Sequence, residues 1–96
     1  MYAVWVWCGR LDAADRLLTR RITNATDGSE LTLAYYNRGT VRRQRGLTEE
    51  ALDDLTACVR LCPRDLSSRR LRIKVALELR RYEIAIEDAK TLTRLW

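Results

Sequence analysis

Apolar positions along this chain recur at spacings of three and four residues, the period of amphipathic helices. Ala51, Leu52, Leu55, Cys58, Val59 and Cys62 form the clearest stripe. Thr48 is placed to cap that helix, Glu49 and Glu50 suit its first turn, and Pro63 ends it. Upstream, residues 30–45 contain no proline; Asp27 or Ser29 can cap their start, and Gly46 suits the left-handed residue that closes a helix. Residues 11–23 read as an earlier helix with Leu11, Ala14, Leu18 and Ile22 inward. Asp65 is expected to cap a helix running to about residue 80, and "RYEIAIEDAKTLTRLW" supplies the last one, with Ile84, Ala85, Ala89, Leu92 and Leu95 inward. "NATDGS", residues 24–29, is the one clear loop. The expected fold class is all-α, a series of antiparallel helix pairs.

The pattern repeats. Laid over itself so that Val41 meets Val75, the chain also places Glu49 on Glu83, Ala51 on Ala85, Asp54 on Asp88, Arg60 on Arg94 and Leu61 on Leu95. A slightly longer shift places Gly9 on Gly46, Ala14 on Ala51 and Leu18 on Leu55, as if an earlier copy had a longer connection. A recurring unit as long as one helix pair is the mark of stacked helical repeats, because a single pair cannot bury its own apolar face.

On these residues the chain resembles the tetratricopeptide repeat family. "LAYYNRGTVRRQRGLTEEALDDLTACVRLCP" carries the bulky Tyr35, the small Gly39 one turn later, Gly46 at the turn, then Ala51, Leu55, Cys58 and the closing Pro63. "LRIKVALELRRYEIAIEDAKTL" is similar to a looser copy that keeps Tyr82 and Ala85 but has Ile73 where a small residue belongs. "GRLDAADRLL" resembles the second half of a preceding copy, with "MYAVWVWC" the stub of its first helix, and "AYYNRG" before a "DEAL"-like helix is similar to bacterial members. The resemblance implies a right-handed α-solenoid of about two and a half repeats over residues 1–96: a partial repeat and loop at 1–31, a repeat at 32–65 and a looser one at 66–96. Gly39 is then a close-approach position shared with Ala51, not a helix defect costing about 1 kcal/mol.

Composition narrows the chemistry. The 96 residues are 47% apolar, enough for a core, with 4 glycines and 1 proline. Histidine is absent, which removes the commonest general base and metal ligand, and no phosphate-cradling glycine loop or nucleophile elbow is present. The 3 cysteines argue against a disulfide framework and for a reducing, cytoplasmic location. The opening apolar run lacks a basic leader and a small-residue cleavage site and is too short to span a bilayer. Cys58 and Cys62 share a helix face and read as core packing; Trp5, Trp7 and Trp96 read as packing at the ends. The adjacent acids Asp53 and Asp54, like Glu87 and Asp88, read as a solvated face.

Charge is the feature that points to a partner. The net charge is +5. Residues 31–45 and 66–81 carry ten bases (Arg38, Arg42, Arg43, Arg45, Arg69, Arg70, Arg72, Lys74, Arg80, Arg81) and one acid, Glu78, whereas the helices that follow are acid-rich. In the family the first helix of each pair lines the concave groove, so the resemblance implies a basic groove. Its ligand-facing positions match Tyr36, Thr40, Arg43 and Gln44, then Arg70, Lys74, Leu77 and Glu78, with Arg43, Arg70 and Lys74 the main contacts. Asn37 matches the middle asparagine of the family's carboxylate clamp, but Ser67 and Leu71 stand at the clamp's next positions, so that clamp is not supported. Arg38 and Arg42 are expected to lie along a neighbouring helix with their heads in water, and Arg45 to be solvated. The expected function is a non-catalytic interaction module that binds an acidic protein or peptide segment without a cofactor. The alternatives are nucleic-acid binding through the same face, a scaffold that self-associates through exposed repeat ends, and arginines that merely solvate the surface and pair with acids on neighbouring helices.

Overall fold

The computed structural model describes the backbone of residues 4–95 and the side chains of residues 9–95. The readings for Trp5, Trp7, Cys8 and Trp96 lie outside the described side chains. Five helices follow one another among the described residues: α1 (Val4–Asn24), α2 (Gly28–Gln44), α3 (Thr48–Leu61), α4 (Leu66–Glu78) and α5 (Tyr82–Leu95). Each packs mainly on the next in chain order. Cross-helix bonds run in opposite order along each pair: Arg38 to Thr19 and Arg42 to Asp15 join α1 and α2, and Thr32 to Cys58 and Arg38 to Asp54 join α2 and α3. These pairs are antiparallel, as short connections dictate.

The helix ends follow from local chemistry. The Asp27 side chain accepts from the Glu30 backbone N–H at 2.8 Å and starts α2. Asp65 accepts from the Ser67 N–H at 3.3 Å and starts α4. At the end of α2, Gly46 has φ 84°, with Leu47 N–H bonded to Arg42 C=O at 2.8 Å and Gly46 N–H to Arg43 C=O at 3.0 Å. Those paired bonds are the Schellman closure. The same closure recurs at the end of α4, 34 residues on, where Arg81 N–H meets Ala76 C=O at 2.7 Å and Arg80 N–H meets Leu77 C=O at 3.1 Å. There the left-handed position, φ 58°, belongs to Arg80.

Three local expectations are corrected. Thr48 does not cap α3; Leu47 holds that position with no side-chain bond, and Thr48 is already helical. The first helix does not break near Gly9, because 4–24 contain no proline and one glycine is tolerated, and the described part of the expected stub and the half-repeat are one helix of 21 residues. Cys62 and Ala89 are exposed, not inward. Cys62 lies past the last helical residue, where the chain has left the helical path.

The core forms between α2, α3 and α4. Ala51, Leu52, Leu55 and Val75 are buried, with Tyr36, Leu71, Leu79 and Ile84 packed against them. Gly39 is buried at the α2–α3 crossing. A methyl group there would lie 3.3 Å from Leu55 Cγ, 3.4 Å from Asp54 Cβ and 3.5 Å from the Ala51 carbonyl. The glycine is what lets α3 approach so closely.

Candidate functional site

The exposed side of α2 and α4 carries the residues that the sequence singles out, but their charges are disposed differently from the expectation. Tyr36 is half-buried against the core and lines an open concavity of about 810 Å³. The concavity is shared by the start of α2, the end of α3 and the start of α4, with Leu33, Leu61, Cys62, Asp65 and Ser67 also in its wall. Asn37 and Thr40 are half-buried on α2, and the Thr40 hydroxyl donates to the Tyr36 carbonyl at 3.0 Å. Arg70 and Lys74 are exposed on α4. Helical geometry places them one and two turns beyond Ser67 on the same side.

Arg43 faces this side and already holds a carboxylate. Its Nε and Nη2 donate to the two Glu78 oxygens at 2.9 and 2.8 Å, a bidentate link between α2 and α4. The hydrogen bonds and charge of Arg43 hold the Glu78 carboxyl below its ordinary value, and Glu78 in turn raises Arg43. Of the expected contacts, Tyr36 belongs to the concavity wall, whereas Asn37, Thr40, Arg43, Arg70 and Lys74 do not line it.

Most other arginines of these helices point away from the groove into buried aspartates. Asp54 is 2% exposed and accepts from Arg38 Nε and Nη2 at 3.0 and 2.7 Å. Asp88 is fully buried and accepts from Arg69 Nη1 at 2.8 Å and from Arg72 Nε and Nη2, both at 2.6 Å. Asp15, 6% exposed, takes Arg42 at 3.1 Å and Arg45 at 2.6 Å, and Arg42 also reaches Asp54 at 3.4 Å. Burial pushes the Asp15 carboxyl up, yet the hydrogen bonds and charges of Arg42 and Arg45 outweigh it and leave the group below its ordinary value. Arg38 and Arg72 are raised by Asp54 and Asp88 respectively. Among the described residues, no fully buried side-chain nitrogen or oxygen lacks a hydrogen-bond partner.

These contacts correct three expectations. The heads of Arg38 and Arg42 bind carboxylates instead of reaching water, and Arg45 is paired as well. Asp54 and Asp88 are interior groups, while their neighbours Asp53 and Glu87 are exposed. The signal is present in the sequence. The same overlay that matches Asp54 to Asp88 also matches Arg38 to Arg72, so each aspartate lies 16 residues after an arginine.

Elsewhere the chemistry is quiet. Cys58 is buried, its thiol donates to the Thr32 carbonyl at 3.4 Å, and burial pushes its pKa up to about 11. No group of three or more metal-ligating side chains occurs among the described residues. No described helix is long and apolar enough to cross a membrane. The fold and this face define a helical-repeat-like all-α protein. No known protein family, curated protein or solved structure matches the chain.

Proposed function

We propose that the chain is a tetratricopeptide-like solenoid and acts as a non-catalytic interaction module, binding an acidic peptide segment across the exposed face of α2 and α4. The recurrence of the Schellman closure and of the buried Arg–Asp pair at matching positions supports the repeat reading. The observation that carries the binding reading is the concavity whose wall includes Leu33, Tyr36 and Leu61, with Arg70 and Lys74 further along α4. An apolar side chain of the ligand would seat against those three residues, and acidic side chains would meet Arg70 and Lys74. Arg43 becomes a contact only when a ligand carboxylate displaces Glu78. The pairing of Arg38, Arg42, Arg45 and Arg72 with Asp15, Asp54 and Asp88 removes the same charges from an acidic peptide and from a nucleic acid alike.

The test is fluorescence anisotropy with acidic and basic peptide pools at two salt concentrations. Acidic peptides are expected to bind more tightly, less so at high salt. Arg70→Glu with Lys74→Glu is expected to weaken them at least about tenfold, and Glu78→Gln to strengthen them. Equal, salt-independent binding of both pools would refute the proposal.

A further inference from the structure

The outer side of α5 points to a second binding surface, independent of the groove. Ala85 and Asp88 face inward and are buried. Flanking that face, Tyr82 is 55% exposed and Ile86 54%, and Ala89 and Thr93 are also exposed. Their spacing of four, three and four makes one continuous stripe along the helix. The repeat relation says what belongs there. Ile86 and Ala89 correspond to Leu52 and Leu55, which are 5% and 0% exposed in the core cluster with Leu71 and Val75 of α4 and Leu79 just after it. The equivalent face of α5 lacks such a covering helix among the described residues.

The charges beside the stripe select the occupant. Glu83 and Glu87 lie on the first half of α5, Lys90 and Arg94 on the second. A second α5 packed antiparallel, with a two-fold axis between Ile86 and Ala89, sets each Glu83 against the partner copy's lysine and pairs isoleucine with alanine across the axis. Among the described residues neither Glu83 nor Lys90 has an ion-pair partner within the chain. A parallel pair would set acid on acid. The outer side of α1 offers Arg10, Arg20 and Arg21, which would satisfy Glu83 but set like charge against Lys90 and Arg94, whereas the antiparallel pair satisfies both signs. We infer that α5 is a self-complementary surface through which two copies of this chain associate about a two-fold axis.

The helix has 14 residues. It therefore presents a strip about 21 Å long, smaller than a standard interface, and the pair is expected to dissociate on the order of 100 µM. Sedimentation equilibrium between about 10 µM and about 1 mM tests this. The weight-average mass is expected to rise from near the monomer's 11.2 kDa to about 1.8 times that value at the top of the range, approaching the dimer without passing it. Ile86→Glu, at an exposed position and with its folding checked by circular dichroism, is expected to keep the chain monomeric throughout. Glu83→Lys and Lys90→Glu should each weaken association about tenfold, and the double exchange should restore it. Monomer at every concentration, growth beyond a dimer, wild-type association of Ile86→Glu, or failure of the double exchange would each overturn the inference.

Discussion

Asp88→Asn is the sharpest test of how this molecule holds together. The carboxylate is fully buried and accepts three hydrogen bonds, at 2.8, 2.6 and 2.6 Å, from two arginines. Arg69 and Arg72 are themselves only 7% and 6% exposed. The amide keeps the shape but removes the charge, so Arg69 loses its buried counter-ion and Arg72 keeps only the exposed Glu87, 3.5 Å away. Removing one partner of a buried pair costs about 3–5 kcal/mol. At 96 residues the whole fold is worth only about 5–14 kcal/mol, so this is a large fraction. A loss of about 3 kcal/mol lowers the melting temperature by about 12–24 °C. The assay is thermal and urea unfolding followed by far-UV circular dichroism. Glu87→Gln is the control: its side chain is 66% exposed, and a change within about 0.5 kcal/mol is expected. Asp88→Leu combined with Arg69→Met and Arg72→Met should recover most of the loss, since apolar residues of similar volume can replace a buried ion pair. A loss under about 1 kcal/mol for Asp88→Asn, or an equal loss for Glu87→Gln, refutes the reasoning.

Four further predictions address the backbone and the thiols. Gly39→Val should cost more than about 2 kcal/mol in urea unfolding, because buried Leu55 already lies 3.3 Å from the first added carbon; unchanged stability would remove the close-approach argument. Arg80→Gly should raise stability by about 0.5–1 kcal/mol by relieving a left-handed residue, whereas Gly46→Ala should lower it by a similar amount; matching signs for the two variants would contradict this. In a Cys8→Ser background, Cys62 should react with Ellman's reagent at pH 8 at once and Cys58 only as the fold opens; equal rates would refute the burial argument. The Cys58 pKa in the folded state, about 11, exceeds the unfolded value of about 8.5. Its contribution to stability is therefore complete below pH about 8.5 and declines from there to about 11, an alkaline loss that Cys58→Ala should abolish.

What can be read from the sequence follows the range of the forces involved. Asp27, Gly46, Pro63 and Asp65 act within a few residues of themselves, and the helix boundaries they mark are close to those observed. Gly39 is legible because only a close crossing explains a glycine in that stripe. Asp53 and Asp54 are chemically alike and adjacent; a rotation of about 100° on the helix puts one in water and the other in the core. Composition cannot separate them, although the repeated Arg–Asp spacing can. Arg43 shows the harder limit. Its partner Glu78 is 35 residues away on α4, so their pairing is a property of how α2 and α4 are set side by side. The full length of the first helix is hidden because Gly9 resembles Gly46, yet it meets nothing and ends nothing.

The buried aspartates also check alignment during folding. Asp88 sits across from Arg69 and Arg72, and Asp54 across from Arg38 and Arg42. An apolar seam of alanine, leucine and valine tolerates a slip of one turn, because one aliphatic contact much resembles another. A slip of α5 along α4 by one turn, about 5.4 Å, would strand a carboxylate and two guanidinium groups away from water. Misaligned hairpins are thus far costlier than the aligned one, and each helix pair carries its own check, Asp54 in one and Asp88 in the next.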